Sequence, residues 1–343
     1  MSKIIKCKNC GNNLSYDPDI NCLVCEHCGS KTTFNQVKFG GKKPLDTSVS
    51  TRLNGVRVCP SCGAKDTFEE NNVSIKCAYC GTPVVMESFK NNIDAIIPFS
   101  ISKKGAINCY KNWLRNRVWA PKSLKKLAKA GAFEGYYLPA WAYDAEVDTS
   151  YSGTLVETIE TRTTDKDGNR VVKTYEKRTP VYGNRNDQFV DTIVTGNNKL
   201  SNSILQDLEP FDYSRLKVYR DEYIFGLKVD NFIYSAVEGY NMAQNEMKSV
   251  VRDRIYRQYR RANKQLENLR MSNSYKNVKQ ARYLLPMWSA SYTFKNKKYT
   301  VNINGSTGQV KGTAPVSKWK VFLATLLGLA VVGLIIWFAI RRT

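Results

Sequence analysis

Four Cys-x-x-Cys-Gly knuckles punctuate the first 81 residues: Cys7 and Cys10, Cys25 and Cys28, Cys59 and Cys62, Cys77 and Cys80. Two thiols separated by two residues can converge on one ion from a tight turn. The glycine that follows can take the positive φ such a turn needs. Fourteen residues separate Cys10 from Cys25, and fourteen separate Cys62 from Cys77. That spacing allows a short hairpin to bring a second knuckle back to the first. Each pair of knuckles then forms a closed, tetrahedral, four-thiolate site. Such a site holds a metal structurally and leaves no open position for catalysis. The expectation is two structural Zn(2+) ions, one on Cys7, Cys10, Cys25 and Cys28, the other on Cys59, Cys62, Cys77 and Cys80. Iron in an all-thiolate site has the same geometry and stays open. Disulfides would need an oxidising compartment, and the N-terminus has no apolar run of signal-peptide length.

Other reactive side chains offer less. Cys22 could pair with Cys25, but it lacks the following glycine and breaks the fourteen-residue match. His27, the sole histidine, sits between ligands and reads as a solvent-facing turn residue. Cys109 stands alone in a helical stretch and reads as a core thiol. No carboxylate pair, Ser-His-Asp set or open metal site stands out, so no enzyme is expected.

These knuckles need elements to hold them. Ribbon 1 is expected over residues 1–31, a linker over 32–58 and ribbon 2 over 59–88. An α+β domain follows over 93–312. Within it, 93–101 reads as a strand, Ser102 as an N-cap for a helix over about 103–117, and 122–130 as a second short helix. The chain is β-rich from about 136 to 195, with a hairpin turn at 165–169. Residues 241–270 read as the longest helix of this domain, because Met247, Val251, Ile255, Tyr259, Ala262, Leu266 and Leu269 share one helical face. A Tyr-x-Leu-Pro-x-Trp signature occurs twice, at 136–141 and 283–288, each opening a β segment. Two related halves within one domain are therefore expected. A second β segment is expected over 292–310.

Charge is unevenly spread. The 343 residues carry 52 Lys and Arg against 30 Asp and Glu, a formal +22. Residues 103–133 hold nine basic residues and no acid; 248–282 hold eleven against two. The ribbon region is only +4, and two four-thiolate sites at −2 each would cancel it. The ribbons thus lack the footprint of a non-specific nucleic-acid reader. Lys103, Lys104, Lys125, Lys126, Arg257, Arg260, Arg261 and Lys264 are the candidate contacts for an anionic lipid surface or another polyanion. A solvated face is the alternative, and nucleic acid is less favoured, since few aromatics interleave the charges.

Residues 321–340 (VFLATLLGLAVVGLIIWFAI) carry no charge. At 1.5 Å per residue they would span ~30 Å, one bilayer core. Trp319 and Trp337 lie near the two ends, where indoles prefer the interface. A tail anchor is expected: single-pass, with most of the chain cytoplasmic and a very short C-terminal tail outside. The fold class is then α+β, with two zinc ribbons, a membrane-proximal α+β domain with a long basic helix, and one C-terminal transmembrane helix.

Together, the tandem CxxCG ribbons, AIIPFSISKKGA, WLRNRVWAPKSL, YYLPAWAYDA, YLLPMW and NGSTGQVKGTAP resemble membrane-anchored, TFIIB-type zinc-ribbon proteins of Gram-positive bacteria. That family is often labelled primosomal-helicase-like or phage-replisome-organiser-like. The helicase label implies an ATPase, but no Gly-x-x-x-x-Gly-Lys-Ser/Thr phosphate loop is present. The resemblance implies a scaffold beside envelope-stress membrane proteins of the PspA and SPFH types. The function expected is a non-catalytic, membrane-anchored adaptor that recruits a cytosolic protein partner to the inner surface of the bacterial cell membrane. The alternative is a tethered nucleic-acid-binding protein of replication or transcription.

Overall fold

A computed structural model describes residues 6–46, 56–59, 62, 65–67, 72–76, 80, 82–85, 93–117, 120, 133–164, 170–294, 296–312 and 318–341. The expected helix at 122–130, the hairpin turn at 165–169, and Cys77, Lys125 and Lys126 lie outside the described residues.

Ribbon 1 is a three-stranded antiparallel sheet of β1 (Leu14–Asp17), β2 (Cys22–Cys25) and β3 (Lys31–Thr32). The segment between the ribbons is laid into the larger domain rather than left as free chain. Its β4 (Lys43–Pro44) pairs with the main sheet at Lys279 and Gln280. Ribbon 2 contains two hairpins, β5 (Val56–Val58) with β6 (Lys65–Thr67), and β7 (Asn72–Lys76) with β8 (Pro83–Val85).

Beyond the ribbons the chain runs twice through one pattern. The first pass is β9 (Ala95–Ile96), α1 (Lys103–Arg115), β10 (Glu134–Thr164) and β11 (Arg170–Thr195). Only two of the nine residues at 93–101 form strand. A connector follows, with α2 (Asn202–Leu208) and β12 (Lys217–Val218). The second pass is β13 (Lys228–Asp230), α3 (Ala236–Tyr259), β14 (Lys264–Phe294) and β15 (Lys297–Asn304), with β16 (Val310–Gly312) on its edge.

The two Tyr-x-Leu-Pro-x-Trp segments face each other across the antiparallel β10–β14 pair, with Leu138 directly opposite Leu285. About that point the contacts repeat. β9 pairs parallel with Tyr283 and Leu284, and β13 pairs parallel with Tyr136 and Tyr137. Trp141 Nε1 donates to the Tyr234 carbonyl at 2.9 Å, and Trp288 Nε1 to the Ile101 carbonyl at 2.8 Å. The next residue in each case, Ser235 or Ser102, is a helix N-cap whose hydroxyl accepts an amide of the first turn. The signature's tryptophan thus pins the strand-to-helix entry of the opposite half. Gly196 and Gly305 complete the likeness: a Cβ on either would stand 2.7 Å from Phe232 or Phe99. Only a bare backbone lets those rings pack there.

The centre of the sheet is buried on both faces. Trp141 and Tyr143 pack towards α3, whose Ala243, Met247, Val251 and Ile255 line the same core, and Tyr137 packs edge-on to Phe99 within it. Leu138, Ala140 and Ala142 pack on the other face with Leu205 and Leu208 of α2.

Two expectations are corrected. The long helix ends at Tyr259, not near 270, and Lys264, Leu266 and Leu269 belong to β14. Asn268 at φ 52° marks a β-bulge, where β14 advances three residues against two on β10. The bulge places Leu266 and Leu269, three apart, against the same core, which imitates a helical repeat in the sequence. The second correction concerns the membrane. The C-terminal α4 (Lys318–Arg341) is helical and has exposed leucines, among them Leu327 and Leu329. Among the described residues, however, no helix is long and apolar enough to cross a membrane. The single-pass anchor over 321–340, the bacterial-cell-membrane localisation and the membrane-proximal placement of the α+β domain are withdrawn accordingly.

Candidate metal centres and basic cavity

Ribbon 1 brings Cys7, Cys10, Cys25 and Cys28 together, with all four sulfurs within 4.8 Å of one another. Cys7 and Cys28 sulfurs are 3.5 Å apart, as are those of Cys10 and Cys25. Four thiolates at ~2.3 Å around one tetrahedral ion would stand about 3.8 Å apart, so the set fits with little adjustment. The knuckle turns are built as their sequence requires. Gly11 and Gly29 have φ of 71° and 72°, and each amide donates to the carbonyl of its knuckle's first cysteine at 2.9 Å. A Cβ there would meet nothing, so the backbone angle alone favours glycine.

Ribbon 2 repeats the arrangement among its described residues. Cys59, Cys62 and Cys80 converge, with Cys59 and Cys80 sulfurs 3.6 Å apart. Two cysteine groups that could hold metal are therefore present. Cys22 is buried on β2 outside the ligand group. His27 is exposed and stands outside the ligand group, and Cys109 is half-buried on α1.

One further pair of residues touches the thiols. The Ser30 hydroxyl lies 3.0 Å from Cys28 Sγ, and the Thr82 hydroxyl 3.2 Å from Cys80 Sγ. A hydroxyl in that position donates to a thiolate. With the adjacent Ser30 or Thr82 backbone bond, it holds each sulfur's pKa down to about 6. Cys7 is also lowered, chiefly by the Asn9 amide. At Cys10 the Asn12 amide pulls downward, but burial and bonds from Cys28, Cys25 and Cys7 outweigh it and lift the thiol to about 12. The hydroxyls had a sequence signal: Cys28-Gly29-Ser30 and Cys80-Gly81-Thr82 repeat the same triplet.

Both ribbons are fastened to the larger domain, ribbon 1 at the connector ahead of β13 and ribbon 2 at the sheet itself. The Tyr16 amide of β1 donates to the Phe225 carbonyl at 2.8 Å, and the Tyr16 ring packs edge-on to Tyr223. Ribbon 2 joins through β7, which pairs with β13 at Val229 and Asp230. Between them Lys42, its side chain only 6% exposed, lies 2.7 Å from Asp144 and 2.6 Å from Asp191.

The basic candidates separate. Lys103 and Lys104 are exposed at the start of α1. Arg260, Arg261 and Lys264 meet with Thr158, Asn263 and Gln265 around a cavity of about 680 Å³. Arg257 is exposed on the last turn of α3 and does not line it.

The chain is 23% identical over 322 residues to "Uncharacterized protein YdjG" of Bacillus subtilis (strain 168), covering 92% of this chain and 91% of the relative. No family model matches. No solved structure matches.

Proposed function

We propose that the chain is a non-catalytic zinc-ribbon adaptor that captures a protein partner through its knuckle surface. The convergence of Cys7, Cys10, Cys25 and Cys28 carries this reading. A closed thiolate set offers an ion no position for substrate, so its contribution is folding energy and a fixed surface. Fastening of both ribbons to the larger domain supports a rigid presentation. Exposed Lys8 and His27 flank the ligands and are available to a partner. The TFIIB-type resemblance points the same way, as do basic residues concentrated away from the ribbons.

The test uses Lys8→Glu with His27→Glu, which alters the knuckle surface and leaves every ligand in place. Metal content should stay unchanged while capture of the wild-type chain's partner from cell extract is lost. Undiminished capture by the double variant would remove the ribbons as the docking element. If the captured material were nucleic acid instead, the adaptor reading would fail.

A further inference from the structure

The geometry points to a binding site for a compact phosphate-bearing anion in the cavity between the end of α3 and the start of β14, a role beyond partner capture. The turn there is tight. Arg261 and Lys264 exchange both backbone hydrogen bonds, at 3.1 and 3.3 Å, with only Ala262 and Asn263 between them. The Asn263 carbonyl accepts the Thr158 amide at 2.8 Å, which fastens the turn to β10. Directly bonded cross-strand partners project their side chains to the same face. Two cations are therefore held opposite one another, and Arg260 adds a third at the rim. Like charges so placed repel, a cost that a bound anion would convert into attraction.

The local acids do not neutralise the set. Lys264 has one partner, Glu157 at 3.0 Å. Neither Arg260 nor Arg261 has an acidic partner among the described residues. Arg261 Nη1 donates to the Arg260 carbonyl at 2.9 Å, which orients the guanidinium. Its remaining donors suit the paired oxygens of a phosphate. Thr158, Asn263 and Gln265 supply neutral polar groups around the same space.

Size and surroundings favour a small ligand over a strand of nucleic acid. The volume lies in the range of small-molecule sites. Three acids, Glu157, Glu176 and Glu267, are paired with residues that line the cavity, and their charge disfavours an extended polyanion. Glu176 pairs across the strands with Thr158, and Glu267 accepts from Gln265 at 3.0 Å. Phosphate and pyrophosphate groups on small molecules share the required chemistry, so both free anions serve as probes.

The experiment is calorimetric titration of the full metal-loaded chain with inorganic phosphate and with pyrophosphate. Saturable one-to-one binding is expected, tighter for pyrophosphate. Arg260→Ala with Arg261→Ala should weaken it by at least about tenfold with an unchanged melting temperature. Lys248→Ala with Arg252→Ala removes equal charge from the exposed face of α3 and should change it by less than about twofold. Equal weakening by both double variants would mean diffuse attraction and overturn the site. So would absence of saturable binding at low salt, or tighter binding of a single-stranded oligonucleotide that both double variants weaken alike.

Discussion

At the scale of single residues, the candidate metal centres draw on more than their cysteines. Ser30 and Thr82 each set a hydroxyl against the last thiolate of a ribbon. Groups of this outer kind typically control metal affinity by about ten- to a hundredfold. Ser30→Ala should therefore lower affinity at the first centre by about tenfold, read by competition with a chromophoric chelator. Glu209 makes a separate case. Burial lifts its carboxyl to about 7, reinforced by Glu246 and Asp191 and opposed by a Tyr213 hydroxyl 3.5 Å away. The folded chain thus binds this proton more tightly than the unfolded chain does. The stability it contributes is complete below the unfolded value of 4.5 and is lost as pH rises through about 7. Glu209→Gln should flatten that fall in denaturant titrations across the same window. The grouping of Cys7, Cys10, Cys25 and Cys28, and of Cys59, Cys62 and Cys80, was legible from spacing because two-residue knuckles leave few geometries. Glu209 was not, since its environment comes from chain segments far apart in sequence.

At the scale of elements, the sheet was harder to read than the helices' starts. Ser102 was recognisable as an N-cap, because a serine before a helical run announces a local hydrogen bond, here 2.9 Å to the Gly105 amide. The end of α3 was not recognisable. Leu266 and Leu269 kept the helical rhythm, but a bulge rather than a helix turn sets their spacing. Three such bulges interrupt the long strands, each marked by a non-glycine residue at positive φ: Asp191, Asn268 and Asn277. Asn tolerates this backbone region, whereas a β-branched residue does not. Asn268→Val should cost about 1–3 kcal/mol in chemical denaturation, and Asn268→Gly should cost little. An equal loss for both would mean that the side chain, not the backbone angle, matters at this position.

At the scale of the whole molecule, two similar passes of chain build one sheet, and the ribbons are fastened onto the larger domain. The repeated Tyr-x-Leu-Pro-x-Trp signature suggested a likeness between halves. The structure shows what each tryptophan does, which is to hold the opposite half's helix entry. The segment between the ribbons gave no such hint. Gly40-Gly41-Lys42-Lys43-Pro44 has the composition of a loop, yet Lys42 is buried between two aspartates more than a hundred residues away. Lys42→Met would leave Asp144 and Asp191 facing each other without their cation. Because both aspartates keep some contact with water, the loss should be about 2 kcal/mol, below the ~3–5 kcal/mol of a fully buried broken pair. Thermal melting would report it, and an unchanged midpoint would exclude Lys42 as a clamp. The C-terminal helix marks the limit of composition as a guide: an uncharged run suggested a span that the described residues do not supply.

The measurement that bears most directly on the ribbon adaptor is X-ray absorption at the zinc edge of the intact chain, with metal content measured on the same sample. Two ions per chain are expected, each with four sulfur neighbours at about 2.3 Å and no nitrogen or oxygen. Cys7→Ser should remove one ion and leave the other unchanged. A chain that held no zinc, or zinc with fewer than four sulfur ligands and an open position, would contradict the closed structural sites on which the adaptor rests.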